Sequence, residues 1–327
     1  MNRPLAAAAA LAFAAGIALT ASAAEPPTPP PPPTPQQIAP GVWMIPGGFF
    51  PNRQPDGNTL IFEGGKGLVV MDTGRHRWHR QAILDFARSR GRPIVAIVNS
   101  HWHLDHVSGN ADLKAAYPGA KVYASDAIDG ALAGFLKTSA AEGRKYYEKG
   151  GLPPETMDDL GNDLATIDHG ERLRPDVVVR KSGPVTLAGR KLEVNLAIDA
   201  ATDGDLWVFD RKSGVLATGD LITLPAPFLD TACPKGWLSA LDRVAATPFK
   251  TVVPGHGAPM SRANFDLYRK SFSQFIDCAA SDAKKEICAE GWATAVTPLL
   301  GGDPKAMQRA KGMAGYYVDM LRANGGK

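Results

Sequence analysis

The chain has 327 residues, with 36 Lys and Arg against 33 Asp and Glu, a formal net charge of +3, seven His, three Cys and 44 % hydrophobic residues. That length supports one large core or two modest ones, and so mild a charge balance lacks the concentrated basic face of a nucleic-acid binder. Three Cys are too few for a disulfide scaffold or a cysteine-ligated zinc finger, so any chemistry must come from His, carboxylates or hydroxyls.

Met1-Asn2-Arg3-Pro4 leads into an apolar run from Leu5 to Leu19, and Ala21-Ser22-Ala23 follows. A short basic start, an apolar stretch and a small-residue cleavage site describe a secretory signal peptide over residues 1–23. The run barely reaches bilayer length and has no charged stop-transfer flank. Cleavage is therefore expected to release a periplasmic or secreted protein with no stable membrane span. Residues 24–40 are Pro-rich, with Pro29 to Pro33 consecutive, and read as an extended polyproline linker.

From residue 41 short Val- and Ile-rich runs recur. They are Val42–Ile45, Thr59–Phe62, Leu68–Met71, Ile94–Val98 and Val122–Ala124, then Val177–Val179, Leu192–Ile198, Leu206–Phe209, Val215–Thr218 and Val252–Val253. Bounded by turn residues, they read as strands. Trp78, Ala82, Ile83, Phe86 and Ala87 make one helical stripe over Arg77–Ser89, and a second helix is expected over Trp237–Ala246. Strands in succession followed by helices imply two mixed sheets with helices packed outside. Residues 126–168 break the strand rhythm and read as a helical insertion in a domain spanning 41–260. Residues 261–327 read as a helical C-terminal extension.

The chemistry is concentrated in Asn99-Ser100-His101-Trp102-His103-Leu104-Asp105-His106, directly after the strand Ile94–Val98. Alternation puts His101 and His103 on one side of an extended segment, and Asp105 and His106 follow at a turn. Imidazole and carboxylate form the usual ligand shell of zinc and related divalent ions.

The pattern His101-x-His103-x-Asp105-His106 after a strand resembles the signature of the metallo-β-lactamase superfamily. Later stretches agree in order: Met71-Asp72-Thr73-Gly74, Ala217-Thr218-Gly219-Asp220 and Val253-Pro254-Gly255-His256-Gly257. The resemblance implies an α+β fold, a four-layer αββα sandwich with metals at one edge of the paired sheets. It implies metal ligation by His101, His103, Asp105, His106, Asp220 and His256, with Asp72 buried behind them and Asp220 bridging two ions. One position departs from the family. Where it carries a further ligating His, this chain has Ala201, within Asp199-Ala200-Ala201-Thr202-Asp203-Gly204. The second metal site (Asp105, His106, His256, Asp220) is then complete, and the first retains only His101, His103 and Asp220. Asp199 is a candidate to replace the lost ligand.

The resemblance implies an exported metal-dependent hydrolase carrying one or two Zn2+ ions, with Asp105 as ligand and acid–base group. Its substrate is a small molecule with an ester, thioester, lactone or amide bond. Iron or manganese suits the same donors, so an oxygenase, or a degenerate metal-binding protein with little turnover, stands as the alternative. The Asp at Asp220 looks less like the true lactamases than like the thioesterase, lactonase and general hydrolase branches. Phe49 and Phe50 fall where the family often has a flap over the site, and core packing accounts for them equally well. Cys278 and Cys288, ten residues apart, suit a disulfide across a helix–turn–helix, which leaves Cys233 as a buried thiol.

Overall fold

The structure, a computed structural model, describes residues 29–324. The expected signal peptide, residues 1–23, lies outside the described residues.

The first sheet is built from β1 (Gln36–Ala39), β2 (Val42–Ile45), β3 (Thr59–Gly64), β4 (Gly67–Met71), β5 (Ile94–Val98), β6 (Lys121–Ala124) and β7 (Val177–Val178), hydrogen-bonded in that order. β1 to β4 pair antiparallel and β4 to β7 parallel. The second sheet has β8 (Gly183–Leu187), β9 (Arg190–Ile198), β10 (Gly204–Asp210), β11 (Val215–Ala217) and β12 (Thr251–Val253). These run antiparallel except for the parallel pair of β11 and β12. Two strands were not expected. β1 is cut out of the segment read as linker, because Gln36–Ala39 is the Pro-free stretch between Pro35 and Pro40 and pairs as an edge strand. β8 opens Gly183-Pro184, and a Pro that cannot donate to a ladder is tolerated on an edge.

The sheets face each other across an apolar layer that includes Met44, Phe62, Met71, Val98, Val194, Leu206 and Val208. Outside the first sheet lies α1 (Arg77–Ser89) with its buried stripe of Ala82, Ile83, Phe86 and Ala87, then the short α2 (Leu104–Val107) and α3 (Asn110–Ala116). Between β6 and β7 come α4 (Ala127–Ala133), α5 (Phe135–Lys149) and α6 (Pro154–Asp168). Outside the second sheet lie α7 (Pro234–Ala245), α8 (Arg262–Ala280), α9 (Lys285–Val296) and α10 (Pro304–Ala323). They bury Trp237, Phe265, Phe272, Trp292 and Tyr317 against Trp207 and Phe209. The architecture is the four-layer αββα sandwich expected from the sequence. A disulfide joins Cys278 to Cys288 between α8 and α9. Cys233 is exposed rather than buried, because it caps the N-terminus of α7 at the surface.

The carboxyl ends of β4, β5, β11 and β12 meet at one edge of the sandwich, and the turns after them carry Asp72, the 99–106 segment, Asp220 and His256. Close approach there demands glycine. A Cβ on Gly255 would lie 1.9 Å from Asp220 Oδ1, and one on Gly57 would lie 2.4 Å from the His106 ring. No helix among the described residues is long and apolar enough to cross a membrane.

Candidate metal centre

Asp72 sets the orientation of the site from beneath. It ends β4 with a left-handed backbone, φ 63°, which turns its carboxylate under the next strand. Oδ1 accepts from the Ser100 amide at 2.7 Å, and Oδ2 accepts from Ser100 Oγ at 2.7 Å and pairs with His106 Nδ1 at 2.9 Å. A carboxylate acceptor places the His106 proton on Nδ1 and leaves Nε2 with a lone pair. The single Ser100 hydroxyl hydrogen goes to Asp72, so its oxygen accepts from His101 Nδ1, 2.9 Å away. His101 Nε2 is thereby also left as a lone pair, and it is buried with no hydrogen-bond partner.

Three more donor atoms converge on His106 Nε2 above this layer. His106 Nε2 lies 3.3 Å from His256 Nε2, 3.3 Å from Asp220 Oδ1 and 3.6 Å from Asp105 Oδ2. His256 Nε2 lies 2.9 Å from Asp105 Oδ2 and 3.6 Å from Asp220 Oδ1. Ligands about 2.0–2.2 Å from a tetrahedral ion stand roughly 3.3–3.6 Å apart, close to four of these five separations. Two overlapping triads result, Asp105–His106–His256 and His101–His106–Asp220, each with its ligand atoms within 4.8 Å of one another. Two imidazoles and two carboxylates converging in a buried space need positive charge between them, from ring protons or from a metal ion, and Asp220 Oδ1 itself has no hydrogen bond. The residues therefore fit a divalent ion.

His103 belongs to neither triad. Its Nε2 faces Thr231 Oγ1 at 3.0 Å, and that hydroxyl donates to the Ala201 carbonyl at 3.1 Å. Ala201 is buried at the turn between β9 and β10 and offers the site no side-chain donor. Asp199, the candidate substitute, is exposed and outside both triads. The turn holding Ala201 is fixed instead by Asp205, whose carboxylate accepts from the Thr202 amide at 2.9 Å and from its hydroxyl at 3.2 Å.

Burial and the mutual charges shape the electrostatics. Burial pushes His106 and His256 down, but the carboxylates of Asp220 and Asp105 outweigh it and raise both. For Asp105 and Asp220 burial acts upward, and the neighbouring His charges win, holding both carboxyls low. His103 is depressed to about 4, first by burial, and is neutral at physiological pH.

Sequence patterns gave no sign of Thr231, which lies 128 residues from its partner His103. They were equally silent on Arg75, whose Nη2 stands 3.9 Å from Asp105 Oδ1 while Nη1 pairs with Asp163 of α6. Of the remaining His, His76 lies between Asp56 (2.7 Å) and Asp159 (3.1 Å), His79 bonds Thr59 at 2.8 Å, and His169 is exposed. Phe49 packs on the His256 ring with centroids 5.6 Å apart, whereas Phe50 turns away onto Trp78.

The chain is similar to known proteins. Residues 53–256 match the family model of the metallo-beta-lactamase superfamily. A linear primary-alkylsulfatase from Pseudomonas sp. (strain ATCC 19151) is 26 % identical over 226 residues, covering 62 % of this chain and 41 % of that enzyme. The chain thus spans about two fifths of that relative's length. A hydroxyacylglutathione hydrolase from Synechococcus sp. (strain JA-2-3B'a(2-13)) is 41 % identical over 243 residues, covering 71 % of this chain and 80 % of the relative. A solved metallo-beta-lactamase family protein from Thermus thermophilus aligns with a TM-score of 0.57 at 19 % identity, covering 88 % of this chain and 95 % of that one. At that identity the likeness is one of fold.

Proposed function

Because the chain belongs to the metallo-beta-lactamase superfamily, we propose that it is an exported hydrolase of ester-, thioester-, lactone- or amide-type bonds that works with one firmly held zinc ion. The convergence of Asp105, His106, His256 and Asp220 carries this reading. The relatives named as an alkylsulfatase and a hydroxyacylglutathione hydrolase are hydrolases too, which supports the reaction class.

A divalent ion in this cage supplies a low-pKa water and polarises a carbonyl or similar oxygen. The chain's own residues do the rest. Asp72 fixes His106 directly, and through Ser100 it fixes His101, so that both present Nε2. Asp105 stands at the cavity with Oδ2 towards His256 and Oδ1 towards Arg75, where it can orient a water and take its proton. His103, neutral and held by Thr231, lines the same cavity. The place of His103 outside both triads and the lack of a side-chain donor at Ala201 support occupancy by one ion.

Metal analysis combined with a panel of esters, thioesters, lactones and a chromogenic β-lactam tests the proposal. One zinc per chain with turnover of a member of the panel supports it. Iron with oxygen consumption points to an oxygenase, and bound metal without any turnover to a binding protein. Export rests on the sequence of residues 1–23 alone and is tested by the mass of protein recovered from a bacterial periplasm. A chain beginning after Ala23 or Ala24 supports cleavage, and an intact N-terminus overturns it.

A further inference from the structure

The cavity above the metal ligands is far more apolar than hydrolysis alone requires. Asp105, Asp220 and His256 lie on its floor, and its volume is about 220 Å3. From them the walls run through Trp102, Phe135, Leu160, Leu164, Ile167 and Phe228. Four of these six belong to α5 and α6, the helices inserted between β6 and β7. Phe135, Leu160 and Ile167 are only half-buried, so apolar surface is held open beside the site rather than closed into core. Of the charges on the wall, Arg75 and Asp163 pair with each other, and Glu142 pairs with Lys145 outside the cavity at 2.7 Å. A pocket with polar groups at one end and predominantly apolar walls beyond selects a ligand of matching polarity.

We propose that the insertion builds a binding site for a linear alkyl or acyl chain, which places the polar bond of the substrate against Asp105, Asp220 and His256. The substrate class is then an ester-type compound with a medium-length hydrocarbon chain, rather than a compact or multiply charged one. The assignment of that chain to a substrate rests on the hydrolase reading. The cavity's affinity for the chain does not.

Calorimetry on the full zinc-loaded chain with butanoate, hexanoate, octanoate and dodecanoate measures the chain term at constant head group. Affinity is expected to rise about threefold to fourfold per added methylene until the cavity is filled, then level off. An affinity independent of chain length overturns the proposal. Leu160→Glu, which puts a charge on the wall, is expected to flatten the series. Ser139→Trp fills the cavity from α5 and moves the plateau to shorter chains, and it serves if the charged variant fails to fold. Zinc content and Tm check that each variant remains folded. Ester hydrolysis is followed in parallel along the same chain series. Hydrolysis with flat binding overturns the chain site while the hydrolase reading stands. Rising binding with no hydrolysis of any ester overturns the hydrolase reading and leaves a site for alkyl chains.

Discussion

The Thr231 hydroxyl has one hydrogen, and the Ala201 carbonyl, which can only accept, takes it. The oxygen must therefore accept from His103, which fixes the His103 proton on Nε2 and leaves the lone pair on Nδ1. The hydroxyl bridge between His103 and the Ala201 carbonyl thus holds His103 in one tautomer. Ala201→His combined with Thr231→Ala removes the bridge and returns an imidazole to the turn. Zinc measured per chain is expected to rise from one to two, and a value that stays at one shows that residue 201 does not face the site. The ligands themselves make a second expectation. His106 and His256 have raised pKa values in the metal-free protein, whereas ligation needs neutral rings. Zinc uptake near neutral pH should therefore release protons. The binding enthalpy will vary with the ionisation enthalpy of the buffer, and apparent affinity will climb as pH rises through neutrality. A buffer-independent enthalpy contradicts this. The cluster was legible because His101, His103, Asp105 and His106 fall within six consecutive residues after a strand, and three of these four join a triad. Thr231 and Arg75 were not, since each acts through a contact that only the fold creates.

At the level of elements, α6 is docked by charge as well as by Leu164. Arg53 reaches Asp159 at 2.6 Å and Asp158 at 3.0 Å, Arg75 pairs with Asp163, and His76 joins Asp159 to Asp56. Arg53 and Asp159 are separated by 106 residues, so no periodicity could have shown this seam, whereas the strands and α1 announce themselves by local pattern. His76 is pushed down by burial, but the carboxylates of Asp159 and Asp56 on either side outweigh that and raise it. Its contribution is therefore complete below its ordinary value of 6.5 and fades as pH rises through the raised folded value. Asp56 behaves in the opposite sense. Burial pushes it up, His76 and His79 pull it down to about 2, and its contribution is lost as pH falls from about 4 towards 2. His76→Gln removes a cation between two buried carboxylates at a cost of about 3 kcal/mol. Near pH 6 this lowers Tm by roughly 6–12 °C. The gap between wild type and variant should narrow as pH rises above neutrality, and a gap that does not change with pH sinks the assignment.

In the molecule as a whole, the C-terminal helices are structural partners of the site. α8 to α10 complete the outer layer over the second sheet, Trp292 Nε1 donates to the Pro225 carbonyl at 2.9 Å, and Tyr317 donates to Asp230 at 3.1 Å. Met313 of α10 lines the cavity, and Arg309 lies over Phe49, 5.2 Å from its ring centroid. The sequence marked these residues as helical, but helical spacing says nothing of which sheet a stripe will cover. The Cys278–Cys288 disulfide closes a loop of ten residues between α8 and α9. A loop that short restricts the unfolded chain by ~2–3 kcal/mol. Cys278→Ser with Cys288→Ser should therefore lower Tm by roughly 4–12 °C, and reductant should bring the wild type down to the same value without moving the variant. Zinc release followed during the same thermal scans separates two possibilities. If the tail and the metal centre unfold as one cooperative unit, as their shared core implies, zinc loss moves down with Tm by the same interval. If release stays at its original temperature while the tail melts early, the extension is a separate unit and its side chains are dispensable to the ligand cage.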